Sequence, residues 1–371
     1  MQSISLWQLQ FQKKSKRKAW DWSSSGTFRF FTSSQQQSKW LEESDFMGPA
    51  LIFGTWGSAS VHYCDESFSS STDCFILKSE RKDIDMEYLY YYLRTNISIL
   101  ENGFKGAGLK HISKEYLSEI QIPLPSLEEQ KSIITKLDKL IELIDLKTEA
   151  IRKTEELTKS VFLEMFGDPA VNEKWWKKIP LWDCISQIES WYSPICDSRK
   201  SRENEWWVLK LSAVTGWIFR ESENKFFWLK PPTKKILEVN NDDLLLTRKN
   251  TKELVGDCCY VFYTKSKLII PDTIFRFIPK DLIIDKMYLW QLITNKKFSK
   301  NIRNLATWSA GSMPNISKEK LKSLLIPVPD ISLQRKFAIF CRGNQYNIES
   351  QKQSLQKLQE LYGTTAQEIF N

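Results

Sequence analysis

One stretch of this chain is written twice, and no other feature constrains the fold as strongly. His111-Ile-Ser-Lys-Glu-Tyr-Leu-Ser-Glu-Ile-Gln-Ile-Pro-Leu-Pro125 returns as Asn315-Ile-Ser-Lys-Glu-Lys-Leu-Lys-Ser-Leu-Leu-Ile-Pro-Val-Pro329. In each copy a glutamine follows five residues after the last proline, at Gln130 and Gln334, and a long helical pattern begins. The first helix has a 4,3-spaced seam through Ile133, Leu137, Leu140, Ile144, Lys147, Ile151, Thr154, Thr158, Val161 and Met165. The second repeats it through Phe337, Cys341, Asn344, Ile348, Gln351, Leu355, Leu358, Tyr362, Thr365 and Ile369. Apolar seams with polar breaks are the pattern of a coiled coil.

A repeat of about 200 residues is too long for a solenoid and points to a duplicated unit of globular domain plus helix. A helix with so narrow an apolar stripe cannot bury it alone, so each is the expected partner of the other. The expected layout is a domain over 1–125, a spacer helix over 126–167, a second domain over 168–329 and a second helix over 330–371. Each helix is long enough to span roughly 60 Å at the α-helical rise. Gly167-Asp-Pro169 ends the first as a C-cap glycine followed by proline should.

Within the domains, short aromatic and β-branched runs read as strands. They are Leu6–Phe11, Phe28–Ser34, Ala50–Gly54 and Cys74–Leu77 in the first, and Trp207–Leu211, Asp243–Thr247, Cys259–Tyr263 and Thr273–Phe277 in the second. Met86–Leu100 and Leu289–Phe298 read as helices, which gives an α+β class.

Composition narrows the partners. The net charge is +8 with a pI near 8.9, which favours polyanions. Seven cysteines without a CxxC pair, and only two histidines, argue against zinc sites and disulfide frameworks and fit a reducing cytoplasm. No apolar run approaches the length of a membrane span, and the N-terminal residues do not read as a signal peptide.

The glycine content is odd. There are 15 Trp and 13 Gly, about half the usual glycine share. Several Trp stand where a turn wants glycine, as in Gly54-Thr-Trp56-Gly, Thr215-Gly-Trp217 and Thr307-Trp308-Ser. A bulky residue at a position needing positive φ costs stability. Codons read as glycine by a source that reassigns UGA, but translated as tryptophan, give this pattern. A Trp-rich surface for stacking is the alternative.

Candidate binding residues gather in loops. Lys13, Lys14, Lys16 and Arg17 form a basic loop able to follow a phosphate backbone, or simply a solvated one. Arg29 and Ser33 flank an aromatic run, and Ser58 and Ser60 belong to a small polar stretch that fits a groove. Arg199 and Lys200 make a second basic cluster. Arg248, Lys249, Asn250 and Lys252 follow a strand, and those side-chain types bind base edges and phosphates. His62 reads as structural, since no nucleophile or acid stands at a recognisable spacing. Walker A, dinucleotide, HExxH and GxSxG patterns are all missing, so no catalytic, cofactor or metal residues are assigned.

Taken in order, Phe30-Phe-Thr-Ser-Ser34, Gly54-Thr-Trp-Gly-Ser-Ala-Ser-Val-His62, Ile112-Ser-Lys-Glu to Pro123-Leu-Pro125 with Glu129-Gln130, Glu164-Met-Phe-Gly-Asp-Pro169 and Asp243-Leu-Leu-Leu-Thr-Arg-Lys-Asn250 carry a resemblance. The chain resembles the specificity subunit of type I restriction-modification systems. That resemblance implies two target recognition domains held apart by two antiparallel helices. Each domain would read one half of a bipartite double-stranded DNA site, with helix length setting the gap. It implies two methyltransferase subunits carrying S-adenosylmethionine, and two restriction subunits bringing ATP and Mg chemistry. This chain would be non-catalytic and cytoplasmic. Relatives place glycine where this chain has Trp7, Trp56, Trp175, Trp182, Trp191, Trp207, Trp217 and Trp308. Two other readings remain: the recognition part of a fused methyltransferase-nuclease, and a coiled-coil scaffold that binds protein alone.

Overall fold

The computed structural model describes residues 3–199, 202, 205–227, 236–308 and 313–370, so Lys200 lies outside the described residues. The chain forms two compact units, Met1–Glu149 with Gln351–Asn371, and Ala150–Ser350. The long helices Leu127–Phe166 and Ile331–Phe370, each of 40 residues, therefore give one half to each unit.

The first unit stacks two four-stranded sheets. One orders Gln10–Phe11, Cys74–Lys78, Ala50–Gly54 and Val61–Cys64, all antiparallel. The other orders Trp40–Leu41, Phe28–Phe31, Ser67–Ser70 and Phe46–Met47, with its central pair parallel. Ala50–Gly54 is buried along its whole length because it is covered on both faces. Ala50 and Ile52 point into a core with Phe31, Phe68 and Ile76. Leu51 and Phe53 point the other way, against Leu89, Leu93 and the long-helix residues Ile134, Leu137 and Ala366. Strand alternation thus feeds two cores at once.

The second unit repeats the plan. Leu244–Thr247 lies between Ile274–Pro279 and Cys258–Tyr260, with Leu244 and Leu246 facing the helices and Leu245 facing the smaller three-stranded sheet. Within this unit Asn344 Nδ2 donates to Thr158 Oγ1 at 3.1 Å, while Phe162 and Phe166 meet Phe337. Numbers rise on one helix as they fall on the other, so the two segments run antiparallel there. All twenty seam positions are buried or half-buried, including Ile133, Leu137, Leu140, Ile144, Ile151, Ile348, Leu355, Leu358, Tyr362 and Ile369. Exposed Leu143, Leu146, Leu157 and Leu163 lie off that stripe.

Three expectations differ from the structure. Leu6–Phe11 is not one strand: Leu6–Gln8 is a 3-10 turn, and the pairing segments are Ser3–Ser5 and Gln10–Phe11. Met86–Leu100 is broken at Asn96, whose ψ of 47° leaves the helical region, into Met86–Thr95 and Ile97–Glu101. Lys286–Thr294 and Ser299–Arg303 likewise replace Leu289–Phe298. Gly167 does cap the first long helix at φ 75°, its N–H donating to Leu163 O.

The duplication is most literal where each domain meets its long helix. Gln130 is fully buried; its Nε2 donates to Asp83 O and Pro125 O, and its Oε1 accepts from Asp85 N. Gln334 does the same with Ile283 O, Pro329 O and Asp285 N. The hydroxyl of Tyr88 donates to Pro123 O and that of Tyr288 to Pro327 O. Asp85 and Asp285 each cap the helix that follows them. Gln130→Ala or Gln334→Ala removes three bonds at once and leaves a buried amide and two carbonyls without partners. Each should lower the unfolding free energy by about 3 kcal/mol in urea titration. A loss well under about 1 kcal/mol would show that the glutamine does not hold this junction.

Candidate nucleic-acid interface

In the second unit the buried strand Leu244–Thr247 ends when Thr247 Oγ1 donates to Leu254 O, and the chain turns outward at Arg248. Arg248 Nε donates to Asn315 Oδ1 at 3.0 Å, and its guanidinium lies over the Phe275 ring at 5.4 Å. Lys318 lies over the same ring at 5.6 Å. Lys249 reaches Asp272 at 3.7 Å, and exposed Lys252 stands 5.5 Å from the Trp308 ring. Asn315 forms bridges to both Lys249 and Thr307, so the residue that opens the repeated lead-in holds the strand-end loop.

The first unit builds the same corner. His111, aligned with Asn315 in the repeat, bridges Trp56 at the end of Ala50–Gly54 and also bridges Lys105. Phe75 occupies the register position that Phe275 holds in the second unit, one pair inside the strand end. Lys14 lies 4.3 Å from the Phe75 ring, and Lys114 lies 4.9 Å from Phe11, which meets Phe75 edge to face. Lys114 and Lys318 are the same lysine of the two Ile-Ser-Lys-Glu copies. Both units thus present two cations on an aromatic platform beside the lead-in residue. An ammonium held over a ring keeps its charge in water while its stem is ordered, which suits a phosphate partner.

The residues singled out from sequence divide by what they touch. Lys13, Lys14, Lys16, Ser58 and Lys252 are exposed, and Arg29, Arg248 and Lys249 are half-exposed. Arg17 is held by Asp45 and Glu43, at 2.7 and 3.0 Å, which makes its proton harder still to remove. Arg199 grips both carboxylate oxygens of Glu205, pulling that acid down to about 2, and stacks on Phe226. Ser33 Oγ donates to Asp73 O and accepts from Thr55 N and Trp56 N, so it fastens the loop. Ser60 is buried beside Gly54, where an added Cβ would lie 2.3 Å from its hydroxyl. Asn250 is buried too, its Oδ1 accepting from Thr251 N. Ser33 thus shapes the loop through its hydrogen bonds, whereas the Ser60 hydroxyl and the Asn250 Nδ2 are buried without a hydrogen-bond partner among the described residues.

His62 has the structural role expected of it: its Nε2 lies 2.8 Å from Ser34 O, and burial lowers its pKa. Sequence reasoning missed Lys114 and Lys318. The signal was available, since both sit inside the repeated motif. Among the described residues no cluster of three or more His, Cys, Asp or Glu could hold a metal ion, and no helix is long and apolar enough to cross a membrane.

Residues 10–156 and 222–360 match the family described as the type I restriction modification DNA specificity domain. The chain is 32% identical over 162 residues to the type I restriction enzyme EcoEI specificity subunit of Escherichia coli, covering 43% of this chain and 27% of that one. It is 27% identical over 306 residues to the MjaVIII specificity subunit of Methanocaldococcus jannaschii, covering 76% of this chain and 69% of that one. In fold it is similar to the crystal structure of a type I restriction-modification system S subunit from M. genitalium, with a TM-score of 0.67 at 15% identity over 100% of this chain and 96% of that one. With the family matched across both halves of the repeat, the chain belongs to the type I restriction-modification DNA specificity family.

Proposed function

We propose that this chain is the DNA-specificity subunit of a type I restriction-modification complex, reading a bipartite double-stranded site with one half-site per unit. The observation that carries this reading is the corner built twice: a strand end, a lead-in residue and two cations on an aromatic platform. Phosphate contacts from Lys14, Lys114, Lys252 and Lys318 position each unit, and loop side chains such as Arg248 and Lys249 read base edges. Because the long helices belong to both units, their length sets the gap between half-sites. Two contacts on one chain make the second intramolecular, so affinities multiply. Methylation, with S-adenosylmethionine, belongs to two docked methyltransferase subunits. ATP- and Mg-dependent cleavage belongs to two restriction subunits. The non-catalytic role of this chain and its cytoplasmic place follow from the same reading, and the family membership supports it.

Two experiments on the assembled methyltransferase complex test it. Lys114→Ala and Lys318→Ala should each reduce the slope of log Kobs against log salt by about 0.9, while Arg17→Ala lowers Tm and leaves that slope alone. Equal slopes in all three variants would remove the lysines from the interface. Inserting one heptad, about 10 Å, at matched points of both helices should lengthen the preferred gap by about three base pairs. An unchanged gap would sink the ruler.

A further inference from the structure

Trp175 lies at φ 56° and Trp217 at φ 67°, in the left-handed region where a Cβ collides with its own backbone and glycine does not. The Trp175 side chain is 90% exposed, whereas its neighbour Trp176 is anchored, its Nε1 donating to Phe166 O at 2.9 Å. Trp290 is also held in the core, packed on Tyr260 and Phe262. The chain therefore holds two kinds of tryptophan.

The duplication gives an independent comparison. Lys105 bridges His111 and Thr307 bridges Asn315, so the residues after them occupy the same place in the two units. In the first unit that residue is Gly106, at φ 143°, where an added Cβ would lie 2.8 Å from Leu109 O. In the second it is Trp308, 58% exposed, whose φ does not lie in the left-handed region. Trp7 and Trp182 each follow a fully buried leucine, Leu6 and Leu181, and each is exposed. Trp56 is exposed beside Gly57, at φ 84°. Of these tryptophans only Trp175 and Trp217 hold a backbone that favours glycine; Trp7 lies in the 3-10 turn Leu6–Gln8 and Trp182 in the helix Leu181–Cys184. Trp56 lies against His111, Trp182 under Lys322, Trp308 beside Lys252 and Trp191 against Tyr192, and Trp207 Nε1 donates to Arg202 O, so it is positions 175 and 217 that carry the backbone signal.

We infer that the natural protein carries glycine at positions 175 and 217, these codons being UGA read as glycine in the source organism. The inference does not depend on DNA binding.

The test is peptide sequencing by mass spectrometry on protein purified from its own organism, across positions 175 and 217. Glycine at both, each about 129 Da lighter than written, with Trp176 unchanged as an internal control, is the expected result. Tryptophan at either position overturns the inference. A second measurement uses the recombinant chain. The double variant Trp175→Gly, Trp217→Gly should melt several degrees above the sequence as written, and a lower melting temperature counts against the inference.

Discussion

Two buried glutamine amides fix everything that lies between sheet and helix. A primary amide offers two donors and an acceptor in one plane. Gln130 and Gln334 each spend all three on backbone groups: two carbonyls and one N–H drawn from the chain before the domain helix and from the proline tail. Glutamate could not substitute, since its carboxylate would face two carbonyl oxygens with no proton to give. The proline tail explains why a side chain is needed at all. Pro123, Pro125, Pro327 and Pro329 offer the tail no N–H, and their carbonyls turn to Tyr88, Tyr288 and the glutamines. With the helix start pinned, the helix flank that buries Leu137 or Phe337 is pinned as well.

The two copies share a set of fully buried residues, and their strand-end corners carry different ones. Leu117 and Leu321, Ile122 and Ile326, Gln130 and Gln334 are inaccessible in both units. Ser113 and Ser317 cap the same short helix, each accepting from the N–H three residues on. The corner instead pairs His111 with a Thr55-Trp56 loop in one unit, and Asn315 with an Arg248-Lys249 loop in the other. Where buried frame positions do vary, as Ile134 against Ala338 and Leu137 against Cys341, the neighbours must make up the volume, because a lost methylene is felt in a close-packed core. At the corner, polar and cationic atoms face water, and a substitution there costs little stability.

Much of this architecture was legible in the sequence because helices and repeats are written in local periodicity. The 40-residue helix Leu127–Phe166 and its seam could be read directly, since a 4,3 pattern has no competing interpretation over that length. The domain helices and strands were legible as elements and blurred at their ends. Asn96 breaks a helix whose apolar pattern runs on through Ile97 and Leu100, because its backbone conformation is set by tertiary packing. The Asp-x-x-Tyr-Leu repeat at Asp85 and Asp285 went unread because its spacing from the glutamine, 45 and 49 residues, is not conserved between copies. The corner was least legible. Arg17, Arg199 and Lys114 look alike in sequence, yet the first two are clasped by Asp45 and Glu205, distant or offset acids that no periodicity reveals.

That same contrast explains why the two units would read different half-sites on one frame. The platform rings Phe75 and Phe275 hold equivalent register positions, and each carries a lysine over its face, Lys14 in the first unit and Lys318 in the second. Phosphate contacts of this kind orient a domain without selecting bases. Selection then falls to what stands beside the platform. An arginine fixed by Asn315 presents a planar fork suited to guanine, and the first unit has no arginine at the equivalent place. On the proposed function, two identical corners would select a symmetric site, and two corners alike in their lysines and unlike in their tips would select an asymmetric one.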